Sequence, residues 1–175
     1  MTLKLGTEIP GTSAEGNITT IWVPAIKNIK APTIIELEAG TDISNYVMLG
    51  GWSFDPSQDT VSDQRENTVQ DFGAPGRKSA GDISIEVIDN TNTEHEEQNE
   101  AVTLMYEGAS GYIVRRRGMA TDAPLASGQK LTVVSVKCGE KKVINPDANT
   151  MIRSQIPLFA QAPGWESETA VLAEA

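Results

Sequence analysis

The sequence is poor in the residues that most often carry chemistry: it has one cysteine, one histidine and 5% aromatics in 175 residues. The lone Cys138 excludes an internal disulfide and any cysteine-cluster metal site, and within LTVVSVKCG it reads as a small strand residue. His95 is followed by Glu96, but the zinc motif H-E-x-x-H needs a second histidine where Asn99 stands. Glu94, Glu96 and Glu97 read as acids complementing the first turn of a helix, so no metal is expected. A serine hydrolase would need a strained G-x-S-x-G turn, and no such pentapeptide occurs. Asp71, Phe72 and Gly73 spell the D-F-G of kinases without the glycine-rich loop or H-R-D segment that give it meaning. A phosphate loop starting at Gly73 also fails, because Lys78 stands where its second glycine belongs. No catalytic residue and no cofactor are expected.

Cations are scarce too. Fourteen Lys and Arg against 24 Asp and Glu leave a net charge of -10, which repels DNA and RNA and disfavours a nucleic-acid reader. There is no run of about eighteen apolar residues, and MTLKLGTEIPGTS lacks the basic region and apolar stretch of a signal peptide. The expectation is a soluble chain, made in a cytoplasm, that does not insert into a membrane. What is present is 39% hydrophobic residues, enough for one core in a single domain with extensions.

Residues 1–17 mix Gly, Pro, Ser and Thr and read as an N-terminal arm, followed by a strand in ITTIWVPAI. In APTIIELEAGTDIS, Thr33 and Glu36 form a capping box for a short helical turn that ends near Gly40. SNYVMLGGWSFD reads as a strand bulged at Gly50 and Gly51. GDISIEVID alternates cleanly, with Ile83, Ile85 and Val87 on one face and Asp82, Ser84 and Glu86 on the other. Between these two strands, residues 55–81 are almost entirely polar, Gly or Pro, too long for an ordinary connection, and read as a long hairpin loop. Thr93 caps and Gly108 stops what is expected to be the one substantial helix, residues 93–107, packed through Ala101, Val102, Leu104, Met105 and Tyr106. GYIVRRRG, KLTVVSVKCGEKKVI and TMIRSQIPLFA follow as strands, and APGWESETAVLAEA, residues 161–175, reads as a C-terminal arm. The fold class is mainly β: an antiparallel sandwich or barrel over residues 18–160 with one flanking α-helix.

Arg115, Arg116 and Arg117 end a strand, so Arg115 and Arg117 share one face and Arg116 takes the other. Their readings are a solvated strand end or pairing with the acids of a neighbouring chain.

The order of parts, with P-T-x-x-E-L followed by A-G-T-D-I-S, the long polar loop closing on GDISIEV, and LMYEGASGYIVRRR, resembles the tail tube (major tail) proteins of long-tailed bacteriophages. That resemblance implies a β-barrel related to type VI secretion tube proteins, assembling into stacked hexameric rings in the virion tail. DNA would pass through the channel without sequence-specific binding, and tape-measure, terminator and tip proteins would be partners. The loop and the termini would then contact neighbouring subunits or rings, with Asp63, Arg65, Glu66, Asp71, Phe72, Arg77, Lys78, Arg115 and Arg117 as candidate contacts and Asp82 and Glu86 as candidate lumen-facing acids. A capsid-decoration module and a small-ligand-binding β-barrel are the alternatives, the latter requiring a deep apolar pocket within one chain.

Overall fold

Alternation of branched apolar with polar residues builds this chain strand by strand. The computed structural model describes residue 6 and residues 8–174. Strands β1 (Ile18–Val23), β2 (Thr41–Asp42), β3 (Val47–Phe54), β6 (Ile83–Ile88), β7 (Ser110–Arg117), β8 (Lys130–Cys138), β9 (Lys142–Val143) and β10 (Arg153–Val171) form one antiparallel sheet. Its order is β2-β1-β7-β8-β10-β6-β3, with β9 also on β10, and it curves into a half-barrel. A separate two-stranded sheet pairs β4 (Ser57–Asp63) with β5 (Phe72–Ser79). The mainly β expectation holds.

Both faces of the central strands are buried, which is why β8 reads as a nearly continuous apolar run. Val134 and Val136 join Trp22, Ile113, Ile85 and Ile156 in one core, while Leu131 and Val133, of opposite parity, join Val23, Val114, Leu37 and Leu172 in another. In β6 the expected alternation is exact in outcome: Ile83, Ile85 and Val87 are buried and Ser84, Glu86 and Ile88 are half-buried.

Helix α1 (Ile34–Glu38) begins with the predicted capping box: the Thr33 hydroxyl accepts from the Glu36 amide at 3.3 Å, and the Glu36 carboxylate accepts from the Thr33 amide at 2.9 Å. Gly40 follows because the chain passes so close to β1 that a Cβ would lie 2.6 Å from the Trp22 carbonyl oxygen. The β3 register shifts between Val47 and Trp52, as the Gly50–Gly51 pair suggested; Gly50 has φ 77.

Three expectations need correction. The helix expected over 93–107 shrinks to a 3-10 turn (Glu96–Gln98) and α2 (Glu100–Leu104). Thr93 caps no helix; its hydroxyl instead donates to the Asn90 carbonyl, and Tyr106 is exposed. The sheet wall needed only one helical turn to cover it, with Ala101 and Met105 supplying the buried contacts. Second, the long hairpin expected over residues 55–81 is present, but it is strand over most of its length, with Val61 opposite Ala74 and Asp63 opposite Phe72, rather than an extended loop. Third, residues 161–175 are not an arm: β10 continues to Val171, Trp165 pairs with Val134 and Ala170 with Leu131, and Ala170 and Leu172 are buried. Ala175 lies outside the described residues. The N-terminal arm, residues 1–17, has no strand or helix in its described part; residues 1–5 and 7 lie outside it.

Candidate assembly surfaces

The β4–β5 ribbon leaves the sheet after Phe54 and returns at Ile83. Its inner positions do not face a core: every β4 residue is exposed, and within β5 only Gly76 is half-buried. Gly76 lies beside a register shift, where a Cβ would meet the Asp59 carbonyl oxygen at 3.0 Å. Arg65 pairs locally with Asp63, two residues before it, at 3.0 Å, and across the tip the Gln64 amide donates to Asp71 at 3.4 Å. Glu66, Arg77 and Lys78 are exposed, as are the large apolar side chains Val61, Val69 and Phe72. The ribbon therefore brings seven of the candidate contacts together: Asp63, Arg65, Glu66, Asp71, Phe72, Arg77 and Lys78. It gives them no partner outside the ribbon among the described residues.

The three arginines take three different environments. Arg115 is half-buried on the first-core face: its Nε donates to the Thr20 hydroxyl at 3.2 Å and its guanidinium lies 5.2 Å from the centre of the Trp52 ring. Trp52 in turn packs near Phe54, and Phe54 meets Trp165 edge to face. Burial, and then the nearby Arg117 charge, push the Arg115 pKa down to about 10. Among the described residues, no carboxylate forms a salt bridge with it. Arg117, exposed, donates to Glu168 on β10, whose hydrogen bond raises the arginine pKa and lowers that of the glutamate. The face predicted for Arg115 and Arg117 is correct, and Arg117 has a carboxylate within its own chain. A cleft of about 600 Å³ lies over this region, lined by Thr20, Ser44, Leu49, Trp52, Arg115 and Arg117 among others. It is a mixed, charged groove, unlike the deep apolar pocket a ligand-binding barrel requires.

Asp82 is exposed at the start of β6, and Glu86 stands on the same strand face, half-buried, 3.5 Å from Arg153 on β10.

Two polar centres escaped the reading of the sequence. Arg116 is 3% exposed, and its guanidinium donates to the carbonyls of Ala120, Ala123 and Pro124, to Gln129 Oε1 and to the Thr19 hydroxyl, fastening the β7–β8 connection to the sheet. Asp89 is 5% exposed and accepts from Lys141 Nζ at 2.8 Å, from the Ser154 hydroxyl at 2.6 Å, and from Thr91 and Asn99. Burial raises its pKa, but these hydrogen bonds outweigh burial and hold the carboxyl well below the usual range. The signal was available: Asp89 continues the inward parity of Ile83, Ile85 and Val87, so an acid at that position demands buried partners.

No curated protein matches the chain. Among solved structures, the anti-feeding prophage baseplate contains a chain similar over 89% of this chain and 94% of its own, with TM-score 0.53 at 12% identity. A chain of the PVC sheath/tube terminator, from an extracellular contractile injection system in the extended state, is similar over 94% of this chain and 100% of its own, with TM-score 0.52 at 13% identity. At such identities the likeness is one of fold. A family model described as phage tail tube protein matches residues 7–173, nearly the whole chain, and the chain belongs to that family of structural proteins.

Proposed function

We propose that this chain self-assembles into hexameric rings that stack to form a phage tail tube, the conduit through which DNA is delivered to the host. The observation that carries this reading is the β4–β5 ribbon. An isolated two-stranded ribbon is marginal in water, and this one has no side chain in either core while exposing Val61, Val69 and Phe72. Contact with another subunit supplies what the monomer withholds. The ribbon bridges rings, and Arg115, half-buried without a carboxylate of its own chain, takes one from a neighbour within or between rings.

The electrostatics support a conduit. Six chains at -10 each make a strongly acidic wall, along which a polyanion slides without being held. Asp82 and Glu86 line the lumen in this reading, and the DNA contact is not sequence-specific. The tape-measure protein and the terminator and tip proteins are the remaining partners, in a virion tail whose subunits are made in the bacterial cytoplasm. The chain has no catalytic role.

Sedimentation and negative-stain microscopy at raised protein concentration test this reading. Ring-sized species and tubes are expected. A protein that stays monomeric at every concentration, alone and with tail partners, overturns it.

A further inference from the structure

Two clefts meet over the arginines of β7. The cleft of about 600 Å³ beside Leu49 and another of about 400 Å³, lined by Phe54, Thr132, Ser167 and Glu168, share Trp52, Arg115 and Arg117. Arg115 is fixed at the junction: the Thr20 hydroxyl holds its Nε and the guanidinium lies over the Trp52 ring, while its two terminal nitrogens meet no acceptor among the described residues. A guanidinium oriented in this way presents a ready fork to a carboxylate or a phosphate. Its own geometry does not choose between them.

Glu168 makes the choice. Arg115 and Arg117 lie on one strand face, and the Arg117 charge adds to burial in lowering the Arg115 pKa, so the two act as one positive centre. Two neighbouring guanidiniums suit a nucleic-acid backbone, whose phosphates recur with a charge each. The β10 bulge between Glu166 and Ala170 brings an acid to them. The Glu168 amide donates to the hydroxyl of Thr132, the residue opposite Arg115 on β8, and its carboxylate accepts from Arg117 Nε. Glu168 has φ 56, a left-handed conformation that glycine and asparagine enter far more readily. A carboxylate is thus held in the groove against the backbone preference of its own residue. It occupies Arg117 and leaves Arg115 as the guanidinium with open donors. Glu15, the other acid lining the groove, is exposed and pairs with neither arginine.

We propose that Glu168 sets the specificity of this groove: with Arg117 neutralised, the site accepts one carboxylate, that of a second copy of this chain at Arg115, and refuses the phosphates of a nucleic acid. This rests on the reading of Arg115 as an inter-subunit contact and assigns the residue that keeps the contact selective.

Fluorescence anisotropy of a labelled oligothymidylate at low salt tests the assignment in the full-length chain. Glu168→Gln should bind it at least about tenfold more tightly than the parent, with an affinity that falls as salt is raised. Glu38→Gln removes one exposed acid elsewhere and should leave the parent affinity unchanged, which separates the groove from net charge. Adding Arg117→Met, at an exposed position, to Glu168→Gln should abolish the gain, and so should adding Arg115→Met. A Glu168→Gln protein that binds no better than Glu38→Gln, or a gain that survives the loss of either arginine, overturns the proposal. Micrographs of the parent separate this from the ring reading. Tubes without the gain in Glu168→Gln overturn the role of Glu168 and leave the ring reading standing. The gain without tubes upholds the exclusion of phosphate by Glu168 and overturns the second copy as the source of the carboxylate. Absence of both overturns both.

Discussion

Residues 55–81 and residues 161–175 are both interrupted by Gly and Pro, but hydrophobic residues make up 5 of the 27 in the first and 7 of the 15 in the second, and the fold treats them in opposite ways. The first pairs only with itself and keeps its side chains in solvent. The second is drawn into the sheet, because Trp165, Ala170 and Leu172 reach apolar sites left open by β8, β1 and α1. Apolar side chains at the correct strand parity decide the matter, and only the second segment supplies them.

Deletions sharpen this contrast most. Removing residues 161–175 should unfold the protein, since both cores lose side chains and β8 loses its pairing with β10 from Val134 to Lys130; far-ultraviolet circular dichroism should show no cooperative melt. Removing residues 60–78 should leave the β signal and a melting temperature within a few degrees of the parent, while tubes disappear. A hairpin deletion that also fails to fold would erase the distinction. Less drastic is Leu172→Ala: a fully buried Leu reduced to Ala costs about 2–5 kcal/mol, whereas Val69→Ala on the ribbon, fully exposed, should leave the urea midpoint in place.

Arg116→Met should follow, costing about 3 kcal/mol because five acceptors lose a charged donor, and Arg65→Met on the ribbon should cost almost nothing; urea denaturation separates them. Asp89 adds a pH dependence. Its folded pKa lies below the unfolded value of about 4, so its stabilisation is complete above that range and is lost as pH falls toward the folded pKa. Stability measured from pH 7 down to pH 3 should fall less steeply in Asp89→Asn than in the parent, from a lower starting point. The smallest effect is expected for Glu168→Gln: the Arg117–Glu168 pair is largely exposed, and its loss should cost under about 1 kcal/mol and vanish in high salt.

The sheet was legible wherever one face alternates, as in β6, or where both faces are apolar, as in β8, because burial imposes those patterns directly. The capping box at Thr33 was legible because its donors and acceptors are local in sequence. The same signature at Thr93 misled: an acid three residues on can be written for reasons unrelated to capping, and the chain there turns to deliver Asn99 to Asp89. The arginine run shows the limit from another side. Strand parity predicted which side each residue takes, but that Arg116 would be the buried one depended on the β7–β8 connection folding over it, and no local pattern states that. The ribbon was recognised as an element and its residues as candidates, since polarity and length are visible in the sequence; its pairing register and the surface facing it are not.

The last residues of β10 carry a temporal consequence. The Val171 amide donates to the Lys30 carbonyl, the Ala173 amide to the Pro32 carbonyl, and the Ile34 amide to the Ala173 carbonyl, while Leu172 fills the core behind Leu37 and Val23. The first forty residues thus wait for residues 171–173 before their hydrophobic side is covered. At about 5–20 residues per second of synthesis, a nascent chain spends on the order of ten seconds with β1 and α1 made but unable to settle. The N-terminal third of the chain is therefore made early and covered late, and its apolar side stays open while the strands between are synthesised.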